Sequence, residues 1–187
     1  MATTSSNLVQ GPADLYTATF GATEPADSAV ASVPSASTWH DVGGTLEGTT
    51  LTVTQEYAEL VVDQLVDIPE RRLTKRELTV ASRMAEPTLD NFILALNGGT
   101  VTASAAYSSY DPDTASSVTQ PTYKALMVDG WAPGTAMRRR LITRKALSVE
   151  AIETAWKKED QSALSVTWAS HYVSSVIKPF RLVDQLT

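Results

Sequence analysis

At 187 residues and 43% hydrophobic, the chain has the length for one domain with a proper core and is short for two. It contains no cysteine, which excludes disulfides, thiolate metal sites and cysteine nucleophiles. The formal charge of −6 argues against tightly bound nucleic acid, and no apolar run approaches the ~18 residues of a membrane span. The amino terminus lacks the basic-then-apolar order of a secretory signal, so a soluble protein made in the cytoplasm and without a membrane partner is expected.

The distribution of charge says more than its sum. Residues 1–70 hold ten acids and no lysine or arginine, whereas all fifteen bases lie from Arg71 onward, where 15 − 11 leaves +4. Either the two halves neutralise one another inside one domain, or acidic and basic surfaces meet between copies and steer assembly.

In chain order, Met1–Gln10 is polar and reads as a flexible arm on a single domain spanning 1–187. Asp14–Phe20 has strand composition and follows Gly11-Pro12. Gly21–Ser37, rich in alanine, serine and proline, reads as a loop long enough to carry a binding or assembly role. Trp39–Val42 starts a new element, Gly43-Gly44 breaks it, and Thr45–Glu56 resumes, with Glu47, Thr49, Leu51 and Val53 on one face. A strand so rich in threonine is marginal alone and wants neighbours.

Leu60–Asp67 is short and rich in β-branched residues, as a strand prefers. Ile68-Pro69-Glu70-Arg71 supplies a turn, and the chain returns from Leu73 to Met84 with Leu78, Val80, Ser82 and Met84 alternating against polar neighbours, the mark of a half-buried strand. A helix follows at about residues 87–97: Pro87 fits its first turn, Asp90 complements the dipole, and Gly98 takes the left-handed conformation that stops it. Leu89, Phe92, Ile93 and Leu96 make its apolar stripe.

Val101–Pro121 is a serine-, threonine- and alanine-rich loop in which Asp111-Pro112-Asp113 reads as a turn, since a calcium site needs six or more oxygens. Thr122–Trp131 and Met137–Leu147 form a hairpin through Ala132-Pro133-Gly134-Thr135. On its second strand Arg138, Arg140 and Arg144 point one way and Arg139, Leu141 and Lys145 the other, giving either a solvated face or an inter-subunit patch. Residues 148–158 fit helix and strand alike. Leu164, Val166 and Trp168 form the inward face of a strand, and Ile177–Val183 is the last. The fold class is mainly β, a β-sandwich or partly closed barrel with one flanking helix and long loops.

No chemistry emerges from this pattern. His40 and His171 lack metal-ligand spacing, no Gly-x-Ser-x-Gly elbow activates a serine, and Gly98-Gly99 follows a helix instead of opening one. Neither a cofactor, nor a metal, nor a catalytic residue is expected.

The order of elements resembles the major tail (tail tube) proteins of long-tailed bacteriophages, especially those of actinobacterial and related hosts. The resemblance is carried by Gly11-Pro12-Ala13-Asp14-Leu15-Tyr16 followed by Gly21-Ala22-Thr23-Glu24-Pro25, by Trp39-His40-Asp41-Val42-Gly43, and by the acidic segment through Asp63-Gln64. Ala85-Glu86-Pro87-Thr88-Leu89 with Asn97-Gly98-Gly99, and the run from Lys157-Lys158-Glu159-Asp160 through Trp168 to Pro179-Phe180, extend it over nearly the whole chain.

It implies a structural virion protein of the phage tail, not an enzyme. Hexameric rings would stack, and strands shared among six subunits would close an inner β-barrel that passes DNA and the tape-measure protein without specific binding. Tail terminator and distal tail proteins would meet the tube at its ends. The resemblance also implies that Val149–Trp156 is a strand. Shared strands give the threonine-rich segments neighbours, and closure removes sheet edges. Glu47, Asp63, Asp67 and Glu77 are the candidates for an acidic lumen lining that repels phosphate. Arg71, Arg72, Lys75 and Arg76, together with Arg138, Arg140 and Arg144, are the candidates for contact between subunits. The alternative is a monomeric immunoglobulin-like binding or decoration module of a virion.

Overall fold

The structure, a computed structural model, describes residues 4–114 and 116–186. Its strands are β1 (Asp14–Thr19), β2 (His40–Asp41), β3 (Thr45–Leu60), β4 (Glu70–Met84), β5 (Thr100–Ala103), β6 (Ser108–Asp111), β7 (Lys124–Trp131), β8 (Arg138–Ser148), β9 (Leu164–Ser170) and β10 (Phe180–Asp184). One helix, α1 (Leu89–Ala95), lies between β4 and β5. The main sheet runs β2-β1-β7-β8-β9-β4-β3, with β10 also on β8, and every pairing is antiparallel. The β5–β6 ribbon is a separate two-stranded sheet.

Strand β8 folds this sheet into two layers. One edge pairs with β7 along its length, while the other is divided, residues 139–143 going to β10 and 146–148 to β9. The layers therefore diverge at β8 and close over a common core. Leu15, Leu126 and Leu141 from one side meet Leu78, Val80, Leu164, Val166 and Trp168 from the other, and the inward alternation of β4 and β9 follows the sequence. A second cluster, Tyr16, Trp39, Met127 and Ile142, occupies the opposite face of β1, β7 and β8.

That second face is covered by the segment between β1 and β2. Arg140 donates to Ala29 O at 3.2 Å and Ser32 O at 2.8 Å, and Trp39 Nε1 donates to Thr23 O at 3.1 Å. A segment read as an open loop is thus the lid of a small core, which explains why β1 and β7 are buried on both faces.

The helix begins two residues later than expected and buries a different face. Thr88 caps it, its Oγ1 accepting from Asn91 N at 3.2 Å, so Pro87 precedes the cap. Asn91, Leu94 and Ala95 point inward while Leu96 is exposed. The rotation is set by Asn91, whose Nδ2 donates to Val42 O at 2.9 Å and Glu86 O at 2.8 Å, because a buried amide must find partners. Asn97, not Gly98, is the first residue past the helix to turn left-handed, at φ 58°.

Four further expectations are corrected. Leu60–Asp67 is not a strand: it ends β3 and forms the loop to β4, so the hairpin is Thr45–Leu60 against Glu70–Met84. Glu47 does not share a face with Thr49, because Glu47 and Gly48 form a bulge with φ 62° and 78° that interrupts the register. The serine-rich stretch after the helix holds the β5–β6 ribbon, where Tyr110 Oη donates to Gly98 O at 3.0 Å. Residues 149–163 are neither helix nor strand apart from a single bridge between Glu153 and Ser165. Ile152 packs against the core and Trp156 lies exposed, so the alternation there never pairs.

Candidate functional site

The hairpin β3–β4 outgrows the sheet that holds it. Strand β4 pairs with β9 only from Thr79 to Met84, and β3 has no second neighbour among the described residues. From Val53↔Leu78 out to Leu60↔Glu70 the two strands hold only each other, and every residue from Leu51 to Arg76 is exposed.

Its two faces differ in chemistry. The pairs Leu51↔Val80, Val53↔Leu78 and Tyr57↔Leu73 continue the face that packs the core, with Gln55↔Arg76 between them and the Glu59–Arg71 ion pair, at 2.9 Å, at the far end. The other face carries Thr50, Thr52, Thr54 and Glu56 opposite Ala81, Thr79, Glu77 and Lys75. An additional residue at Thr74, whose hydroxyl donates to Glu56 O at 3.0 Å, keeps both faces in phase across the second bulge. Leu51, Val53, Tyr57 and Leu73 remain 44–52% exposed, an apolar stripe on a ribbon with free edges. The loop at its end adds Val61, Val62, Leu65, Val66 and Ile68, all exposed.

Such a ribbon is under-supported as it stands. Two strands alone are marginal in water, and an exposed apolar edge is a template for pairing with another chain.

Much of the charge asymmetry is cancelled within the chain. Six ion pairs join an acid of the first seventy residues to a base of the rest: Glu59–Arg71, Glu56–Lys75, Glu47–Arg83, Asp14–Arg138, Glu24–Arg144 and Asp27–Arg181. Among the described residues, the acids of that half left without an ion pair are Asp41 and a group at the hairpin loop, Asp63, Asp67 and Glu70.

The lumen candidates therefore do not share one face. Glu77 lies on the polar ribbon face beside Lys75, which sits 3.0 Å from it and is held protonated chiefly by that hydrogen bond. Glu47 sits in the bulge and takes Arg83 Nη1 at 2.6 Å. Asp63 and Asp67 are in the loop. Of the hairpin bases, Arg71 and Lys75 are paired along the ribbon and Arg76 lies 5.9 Å over the Phe180 ring. Arg72 has no ion pair among the described residues.

The β8 arginines do share a face, as their spacing requires, but it is a covered one. Arg140 is 2% exposed and grips Asp129 with two hydrogen bonds of 2.7 and 2.5 Å. Arg144 holds Glu24 and donates to Lys178 O at 2.7 Å, and Arg138 lies 4.9 Å over the Trp131 ring and 3.4 Å from Asp14. Arg140 is thus an internal clamp, which removes it from any subunit surface. The run of arginine in the sequence gives no sign of the loop that covers it.

His171 lies edge-on to Tyr123, ring centroids 5.3 Å apart. Burial holds its pKa below the ordinary value, helped by Lys145 and opposed by Glu77. The unfolded chain therefore takes up this proton first, so stability is expected to fall as pH drops below about 6.5 and to level off below the folded-state pKa. Melting temperatures between pH 8 and pH 5 should show that loss in the wild type and a flatter profile in His171→Gln.

Among the described residues, no three histidine or carboxylate side chains cluster as metal ligands. What the surface does carry is a long amphipathic ribbon. A family model described as "Phage tail tube protein" matches residues 1–175. The chain belongs to that family. It is a structural, non-enzymatic component of the virion tail, in agreement with the resemblance read from its sequence. A comparison with curated proteins finds no match. For a tail tube protein, self-assembly with other tail proteins follows from the family, and the β3–β4 ribbon carries an unpaired edge and an exposed apolar face.

Proposed function

We propose that the protein polymerises as stacked hexameric rings, and that the β3–β4 ribbons of neighbouring subunits join edge to edge into the inner wall of the tube. The observation that carries this reading is the two-faced ribbon from Leu51 to Arg76. Joining gives β3 the second neighbour it lacks, and closure into a barrel removes the edges altogether. The apolar face, continuous with the subunit core, then packs outward beneath the subunits. The threonine and glutamate face turns to the lumen.

That face suits a conduit. Threonine hydroxyls offer no fixed charge to phosphate, and Glu56, Glu77 and Glu70 outnumber Arg72 and Lys75. DNA and the tape-measure protein would pass without specific binding. Glu47 is held by Arg83, and Asp63 and Asp67 lie in the loop beyond the ribbon, so the charge of the channel would rest on the ribbon's own glutamates. The tail terminator and distal tail proteins would cap the stack, and the whole chain would act as one domain. A monomeric decoration module leaves the ribbon without a purpose.

Arg72→Glu tests the ribbon without touching the core, since its side chain is exposed and makes no ion pair among the described residues, while six such glutamates brought together beside Glu70 on one closed wall would repel one another. Tubes assembled from this variant, or from Arg71→Glu with Arg72→Glu, should be shortened or absent, with the melting temperature of the subunit unchanged. Tubes of normal length and yield would count against ribbon-mediated assembly.

A further inference from the structure

Two patches of charge left without ion pairs among the described residues are complementary in sign. Residues 61–70 hold three acids, no base and five exposed aliphatic side chains. At the root of the same ribbon a groove of about 300 Å³ is lined by Arg76, Tyr172, Ile177, Lys178 and Phe180 and carries no carboxylate. Neither Arg76 nor Lys178 has an ion pair among the described residues. The volume is roughly twice the ~150 Å³ that admits a benzene ring, and Tyr172, Val176 and Ile177 leave its border exposed and apolar.

We propose that the acidic apolar loop of one subunit seats in the basic apolar groove of a second copy, a contact that rests on the assembly reading above. Leu65 or Val66 fills the groove, and Asp63 and Asp67 meet Lys178 and Arg76. The loop cannot reach the groove of its own chain. Arg76 lines the groove, and the paired strands carry the loop away from it by six residues, about 20 Å at strand spacing. A second copy supplies the matching groove wherever assembly brings the end of one ribbon to the root of another, and the opposite charges orient the approach.

The absence of native cysteine makes the test direct. Leu65→Cys and Ile177→Cys chains are purified separately, shown to melt with the parent, mixed under assembly conditions and treated with a short bis-maleimide. A product of twice the chain mass is expected from the mixture and from neither variant alone. Adding Asp67→Lys to the Leu65→Cys chain should lower its yield about tenfold or more, and Lys178→Glu in the Ile177→Cys chain should restore it. Tubes visible in the mixture without the cross-link would overturn the loop-in-groove contact and leave the assembly reading standing. Cross-linking of Leu65→Cys alone would overturn it in favour of loop-to-loop pairing. Neither tubes nor cross-link would overturn both.

Discussion

Replacing Tyr57 and Leu73 together by aspartate is expected to abolish tube formation while the subunit stays folded. The two residues face each other across the ribbon and are 52% and 48% exposed, so neither contributes to the subunit core. Substitutions at such positions stay within about 0.5 kcal/mol of the parent stability. In the proposed wall the same side chains would be buried; each is already about half covered, so each would add roughly 0.75–1.5 kcal/mol of transfer free energy. Losing two raises the concentration needed for assembly by about 10- to 10²-fold. Two new carboxylates buried without partners add further cost. Sedimentation across a concentration series reads the shift, and thermal melting of the unassembled variant confirms the fold. A critical concentration unchanged from wild type would show that this face stays in water.

The largest expected loss of subunit stability lies at Arg140. Its guanidinium uses two donors on Asp129 and further donors on Ala29 O and Ser32 O, all at the buried face beneath the segment between β1 and β2. Arg140→Ala leaves the Asp129 carboxylate, itself 5% exposed, without its partner. Breaking a buried pair from one side costs about 3–5 kcal/mol, a large share of the 5–15 kcal/mol that typically separates folded from unfolded chains. It also releases two carbonyls that hold the lid over Trp39 and Met127. Denaturant unfolding should show the midpoint fall steeply. The double variant Arg140→Met with Asp129→Leu removes both charges and should recover most of the loss, whereas equal destabilisation of the single and double variants would mean that packing, not charge, sets the cost.

The contrast between these two sites shows what sequence patterning reveals and what it hides. Alternation at Leu78, Val80, Ser82 and Met84, and at Leu164, Val166 and Trp168, is read correctly because each strand has one wet and one dry face. Strand β8 follows the same alternation, yet its arginine face is as buried as its leucine face, because a distant segment folds over it. Nothing local to Arg138–Arg144 encodes that. The ribbon is misread in the opposite sense. Val61, Val62, Leu65 and Val66 have strand composition but lie in a loop, beyond the last paired residues Leu60 and Glu70. Gly48, with Glu47 at positive φ, breaks the face expected for Glu47 and Thr49, a bulge that composition alone does not locate. Residues 148–158 satisfy two periodicities, and past Ser148, the end of β8, they adopt neither, with Ile152 packed against the core.

The most direct test of the central claim is electron cryomicroscopy of the purified protein across a range of concentration and salt. Hollow tubes of uniform width are expected, built of stacked rings, with the Thr45–Met84 hairpins forming the inner wall and Thr52, Thr54 and Glu77 facing the channel. Tubes in which these hairpins lie on the outside, or monomers at every concentration even when seeded with tail fragments, would contradict it.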